Sequence, residues 1–171
     1  MKKSIPILAA IVLVLALVLP AAALADQPPM GLRGLKGQAG VSNVAFVELW
    51  EKDSSSWEIV EDGAWGKLRY NLEGPTFDFA FNGHGLVPYT DYTLIHYKYW
   101  NSVTCLASGT ANEEGDIRIA GSFDFGEGLV NAKIWLVPSA RVNCGTNKLL
   151  GWHPTEYLYE YDVISYTYIG A

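Results

Sequence analysis

The chain has 171 residues, with 18 acidic against 12 basic side chains and a hydrophobic fraction of 50%. That length fits one ordinary domain, and six Trp, ten Tyr and six Phe exclude intrinsic disorder of the main body. Setting aside Lys2 and Lys3 leaves 10 basic against 18 acidic groups, a balance that repels nucleic-acid phosphates and anionic lipid surfaces.

Residues 1–25 have the three parts of a secretory signal in order. Lys2 and Lys3 are the charged start, residues 5–19 the apolar run, and Ala23-Leu24-Ala25 the cleavage site after Pro20. Asp26 is then the expected mature N-terminus. The rival is an uncleaved anchor, since a bilayer core needs about 20 apolar residues. No cysteine follows the apolar run, so a lipoprotein anchor is not expected. Without this segment the apolar content is roughly 45%, an ordinary value for a folded domain. Residues 26–41 carry Gly31, Gly34, Gly37 and Gly40 among prolines and polar residues, and read as a flexible spacer. The folded domain is expected over 42–171.

Within it, residues 45–50 read as a strand, 53–56 as a turn, 57–60 as a short strand and 61–63 as the next turn. Residues 65–72 alternate, with Leu68, Tyr70 and Leu72 against Lys67, Arg69 and Asn71. Residues 76–81 alternate again, with Phe77, Phe79 and Phe81 on one face. A period of two is the pattern of a half-buried strand. Residues 82–85 read as a loop around His84.

Residues 92–100 form a strand bulky on both faces, followed by 103–110 with Cys105. A Glu113-Glu114-Gly115-Asp116 turn leads into 116–122, with Ile117 and Ile119 pointing in and Arg118 out, and is expected to make a hairpin. Residues 129–137 form a strand ended by Pro138, and a long loop follows over 139–155 with Cys144. Residues 156–169 read as one long strand with Tyr157, Tyr159, Tyr161 and Val163 on one face.

Eight or nine short strands with Gly and Pro turns, and no helical period after the signal, predict an all-β fold. An antiparallel β-sandwich, Ig-like or jelly-roll-like, is the expected arrangement. Cys105 and Cys144 are the only cysteines, so only one intramolecular pairing exists. In an oxidising compartment they are expected to form a disulfide.

Several strings resemble a known group. They are Trp57-Glu58-Ile59-Val60, Gly63-Ala64-Trp65-Gly66-Lys67-Leu68, Gly74-Pro75-Thr76-Phe77, and Phe81-Asn82-Gly83-His84-Gly85-Leu86. Gly109-Thr110-Ala111-Asn112 and Ala132-Lys133-Ile134-Trp135-Leu136-Val137-Pro138-Ser139 complete the set. Together they resemble a group of small secreted all-β proteins of archaea and bacteria with no assigned activity. The resemblance covers most of 44–166. It implies export and a β fold, and it transfers no catalytic residue.

No catalytic, phosphate-binding or cofactor signature occurs, and no cofactor is expected. Among scattered groups, His84 lies between Gly83 and Gly85. With Asp91, Glu114 and Asp116 it is the candidate metal set, and the four oxygen-bearing side chains of 112–116 could offer calcium some ligands. The bland alternative is a turn histidine and a turn built for local reasons. The spacing of His84, His96 and His153 supports no three-histidine site. Glu156 and Glu160 are expected on one solvated face, lined with cross-strand ion pairs.

The aromatics are the strongest functional signal. Tyr89, Trp100 and Trp152 fall in loops or at strand ends and are the candidate ligand-binding residues. Exposed planar rings stack on sugars or apolar ligands at low entropic cost. The expected function is therefore a secreted, non-catalytic module for binding, adhesion or cell-envelope structure. Its expected partner is a carbohydrate or an envelope component. Nucleic acid is not expected, and a membrane enters only if the signal stays uncleaved. The alternative is a small secreted enzyme or metal-binding protein using His84 and nearby carboxylates.

Overall fold

The computed structural model describes residues 43–99 and 102–170, so the expected signal, the spacer and Trp100 lie outside the described residues. The described chain is nearly all β, with no α-helix. In chain order the strands are β1 (Val44–Glu51), β2 (Trp65–Asn71), β3 (Glu73–Gly74), β4 (Phe77–His84), β5 (Asp91–Tyr99) and β6 (Ser102–Thr110). They continue with β7 (Ile117–Phe123), β8 (Leu129–Pro138), β9 (Val142–Asn143), β10 (Lys148–Leu149), β11 (Leu158–Glu160) and β12 (Ile164–Tyr168). Two short 3-10 turns occur at Ser139–Arg141 and Pro154–Glu156.

Ten strands are hydrogen-bonded into one sheet, antiparallel except where β12 runs parallel to β3. The main path runs β6-β5-β8-β11-β1-β2-β4-β7. Strand β8 is long enough to serve three partners: β5 along 133–138, β11 at Leu136, and β12 at Leu129 and Ala132. The two ends of the path come together. A Cβ placed on Gly109 of β6 would lie 3.1 Å from Ile119 of β7, and one on Gly121 of β7 would lie 3.6 Å from the Ala107 Cβ. The facing layers expected of a sandwich are thus parts of one continuous, rolled sheet. Among the described residues no helix is long and apolar enough to cross a membrane.

Alternation dictates what the roll encloses. Val47 and Leu49 of β1, Leu68 and Tyr70 of β2, and Ile117 and Ile119 of β7 all point inward. Phe77, Phe79 and Phe81 are buried there as expected, and burying each ring is worth roughly 1.5–3 kcal/mol. Residues 92–96 of β5 and 134–137 of β8 are buried on both faces, which is why neither stretch alternates. Leu94 and Ile134 face the interior. Ile95, Trp135 and Val137 face a second, outer cluster with Val103, Val142, Leu149, Tyr157 and Tyr159.

The β9–β10 ribbon supplies Val142 and Leu149 to that outer cluster. Cys105 on β6 and Cys144 between β9 and β10 form a disulfide, with Cα atoms 5.6 Å apart. The Val103 N–H also donates to the Asn147 carbonyl at 3.0 Å. One covalent link and one backbone bond therefore hold the ribbon on β6.

Four local expectations differ from the structure. Residues 57–60 are not a strand; only an isolated Lys52–Ile59 bridge forms. Gly83 and His84 belong to β4 and not to a loop, because Gly66 and Gly83 pair where the Phe81 ring needs the space of two side chains. The 112–116 turn reverses the chain, but β6 pairs with β5 and β7 with β4, so no simple hairpin results. The long strand over 156–169 is split over 161–163, because its first part lies between β1 and β8 and its second between β8 and β3.

Candidate functional site

Outward-facing positions in register across the sheet form a row of rings. His84 of β4 is opposite Trp65 of β2, Trp65 is opposite Trp50 of β1, and Trp50 is opposite Tyr159 of β11. Trp135 of β8 follows, edge-on to Tyr159 at 5.0 Å. Trp50 and Trp65 stack at 5.5 Å, and Trp65 meets His84 at 5.1 Å. Tyr97 stacks on Trp135 at 3.9 Å. Trp50, Tyr159 and Trp135 are buried, whereas Trp65 is partly and His84 well exposed.

Two loops lay further rings over the buried part. Trp57 stands edge-on to Tyr159 at 5.3 Å, and Trp152 lies 6.1 Å from both Trp57 and Trp135. Trp152 also meets Tyr157 at 5.9 Å. Trp57 and Trp152 are packed against the cluster yet remain 49% and 40% exposed.

The Trp57 backbone has φ +60°. A bulky residue in the left-handed region is an outlier that costs roughly 1–2 kcal/mol, and Gly or Asn would take that position more readily. The turn that imposes it is well braced. Asp53 Oδ1 accepts the Ser55 and Ser56 N–H groups at 2.8 and 2.9 Å, and the Trp57 N–H donates to the Asp53 carbonyl at 2.9 Å. The bond from the Ser55 hydroxyl, then those from the Ser56 and Ser55 amides, hold the Asp53 carboxyl down at about 2.

Glu160 sits beside this cluster, where burial pushes its carboxyl up against the pull of Lys133, the Trp135 indole and Lys52. The Trp135 indole lies near Glu160, and among the described residues Trp135 Nε1 and Glu160 Oε2 have no hydrogen-bond partner. Glu160 is therefore not on the expected solvated face. Glu156 is: its two oxygens accept the Arg141 Nε and Nη2 protons at 2.8 and 2.9 Å. The Arg141 side chain holds the Glu156 carboxyl below the usual range.

An open cleft of about 310 Å³ adjoins, lined among others by Glu51, Leu86, Val87, Tyr92, Glu156 and Tyr157. It lies where β1, β5, β8 and β11 begin or end. The end of a rolled sheet is a usual place for a small ligand. Tyr157 belongs both to the cleft wall and to the aromatic cluster.

The expected metal set comes together only in part. His84 Nδ1 and Asp116 Oδ1 are 2.8 Å apart, with both side chains about half exposed. Asp91 instead accepts the Thr110 hydroxyl at 2.6 Å. In the turn, Asn112 Oδ1 accepts the Glu114 and Asp116 N–H groups, which explains the residue types locally. Among the described residues no three His, Cys, Asp or Glu groups are placed to hold a metal ion.

Of the expected binding rings, Trp152 joins the aromatic cluster. Tyr89 is 72% exposed and donates its hydroxyl to Glu113 at 3.3 Å, at the same turn as Asp116. Trp100 lies outside the described residues. Sequence reasoning missed Trp57, read as a strand residue, and the Trp50–Trp65 pair. The available signal was parity: Trp50 and Trp65 alternate against Leu49 and Leu68, which are core residues. No family model, curated protein or solved structure matches the chain.

Proposed function

We propose that the protein is an exported, non-catalytic binding module whose ligand is a carbohydrate. It uses Trp57 and Trp152 as a stacking platform. The observation that carries the reading is Trp57 itself. A half-exposed indole kept at an unfavourable backbone angle, on a turn braced by Asp53, is placed for contact with something outside the fold. Two indoles supported by buried Trp135, Tyr157 and Tyr159 offer rigid area, which a sugar face uses without a large ordering cost. The signal-like residues 1–25 and the spacer 26–41 support export, and the disulfide fits an oxidising compartment.

The test is a glycan array probed with the wild-type protein and with Trp57→Ala/Trp152→Ala, using His84→Ala as a control. Sugar binding by the wild type and His84→Ala, but not by the double variant, is expected. Absence of binding to any sugar by the wild type would contradict the reading. A second reading rests on the His84–Asp116 bond, which orients an exposed imidazole as a general base needs. It predicts a hydrolytic or metal-dependent activity abolished by His84→Ala.

A further inference from the structure

The outer face of β1, β2, β4 and β7 has a charge pattern that the overall balance hides. Reading outward positions by register gives successive rows. Next to the Trp50–Trp65–His84 row comes Glu48–Lys67–Asn82–Arg118, then Phe46–Arg69–Ala80–Ala120, then Val44–Asn71–Asp78–Ser122. Neighbouring rows are about 6.7 Å apart and neighbouring strands about 4.8 Å. Lys67, Arg69 and Arg118 are all exposed, and none has a carboxylate within 4.0 Å among the described residues. Lys67 instead lies 5.0 Å over the Phe46 ring.

The described fold has 17 acidic and eight basic side chains. Three of those eight lie on this one face against two carboxylates, Glu48 and Asp78, so the face is locally basic within an acidic fold. Beside Arg69 the small side chains Ala80 and Ala120 leave a shallow trough of about 370 Å³, bounded by Asn71 and Asp78. Asp78 is occupied on the far side, where its Oδ1 accepts the Thr76 and Ser122 hydroxyls at 3.0 and 2.5 Å.

We infer that this face binds an acidic polysaccharide, a chain of carboxylate-bearing sugars. It is separate from the Trp57–Trp152 platform and does not rest on it. Arg69 suits bidentate pairing with a carboxylate, with Arg118 and Lys67 as flanking cations. Asn82 and Asp78 match the hydroxyls between charges, whereas the Asn71 amide is engaged with Glu73, Thr76 and Asp78. The partly exposed Trp65 ring in the adjoining row gives a sugar face something to stack on. Duplex DNA fits less well. Its charge density, one per about 1.7 Å, meets repulsion from the acidic remainder of the molecule. A second copy of the chain is likewise net acidic.

The test measures binding of the purified full chain to polygalacturonate, with neutral dextran and duplex DNA as comparison polymers, at low and high salt. Binding to polygalacturonate alone is expected, weakened by salt. Arg69→Gln/Arg118→Gln should weaken it by at least about tenfold, with an unchanged circular dichroism spectrum. Trp57→Ala/Trp152→Ala should leave it intact, which keeps this outcome apart from that of the platform. Equal binding to dextran or DNA, full binding by the Gln variant, or loss of binding only in the Trp variant would each overturn the assignment. So would low-salt self-association abolished by the same Gln substitutions in place of polymer binding.

Discussion

His96 of β5 stands edge-on to the Phe125 ring, with centroids 5.4 Å apart, and its Nδ1 has no hydrogen-bond partner among the described residues. The side chain is 8% exposed, and burial, with a smaller push from Lys98, lowers its pKa from 6.5 to about 4. The folded value lies below the unfolded one, so the unfolded chain binds more protons between them. Stability is full above about pH 6.5 and is lost as pH falls toward 4. The loss amounts to roughly 2–3 kcal/mol. Urea titrations across this range should show that slope in the wild type and a much flatter one in His96→Gln. Equal slopes in both would contradict the assignment.

Glu160 makes the opposite prediction. Burial raises its carboxyl pKa above 4.5, so the folded state binds the extra proton. Its favourable contribution is present below 4.5 and is lost as pH rises through the raised value. Glu160→Gln should therefore stabilise the protein near neutral pH and change little under acid conditions. Denaturant midpoints for both proteins at the two conditions check this, and a neutral-pH loss on substitution would count against it.

The disulfide closes a loop of 39 residues between β6 and the β9–β10 ribbon. Cys105→Ala/Cys144→Ala should lower stability by about 4 kcal/mol. Hydrogen exchange should rise first in β9 and β10, since the Val103–Asn147 bond is the backbone contact left beside the lost link. Uniform exchange across all strands would show that the ribbon is not a separately held element.

Gly66 faces Gly83 across β2 and β4, and a Cβ at Gly66 would collide with the Phe81 ring. Gly66→Ala should cost about 1–3 kcal/mol by displacing that buried ring. Gly126→Ala is the contrasting case: no atom lies within 4 Å of its Cβ position, so any cost comes from its φ of +66° alone. Thermal melts of the two variants separate crowding from backbone strain.

Much of the core was legible because alternation needs no tertiary knowledge. Phe77, Phe79 and Phe81 point inward by parity alone, and two cysteines leave one pairing. The same parity misled over 156–169. Tyr157, Tyr159, Tyr161 and Val163 alternate evenly, yet the first two are buried and the last two exposed. The change from a place between β1 and β8 to one between β8 and β3 is a tertiary event that no local pattern records. Gly83 read as a loop signal because its real reason, the Phe81 ring, comes from two residues away and across the strand pair.

Trp57 was hidden for a different reason. A tryptophan beside a serine-rich turn suggests an extended strand by propensity, and only the Asp53 bonds force it into the left-handed region. The basic face was hidden by the net charge. Lys67, Arg69 and Arg118 are scattered in sequence and become neighbours only through the β2–β4–β7 register.

The proposed function rests on Trp57 and Trp152 as a ligand platform. Its most direct test is isothermal titration calorimetry with the strongest sugar from the array, comparing the wild type with Trp57→Ala/Trp152→Ala. Stacking worth about 1–3 kcal/mol for the pair predicts affinity about five- to 150-fold weaker in the double variant, with the fold intact. Unchanged affinity in a fully folded double variant would contradict it.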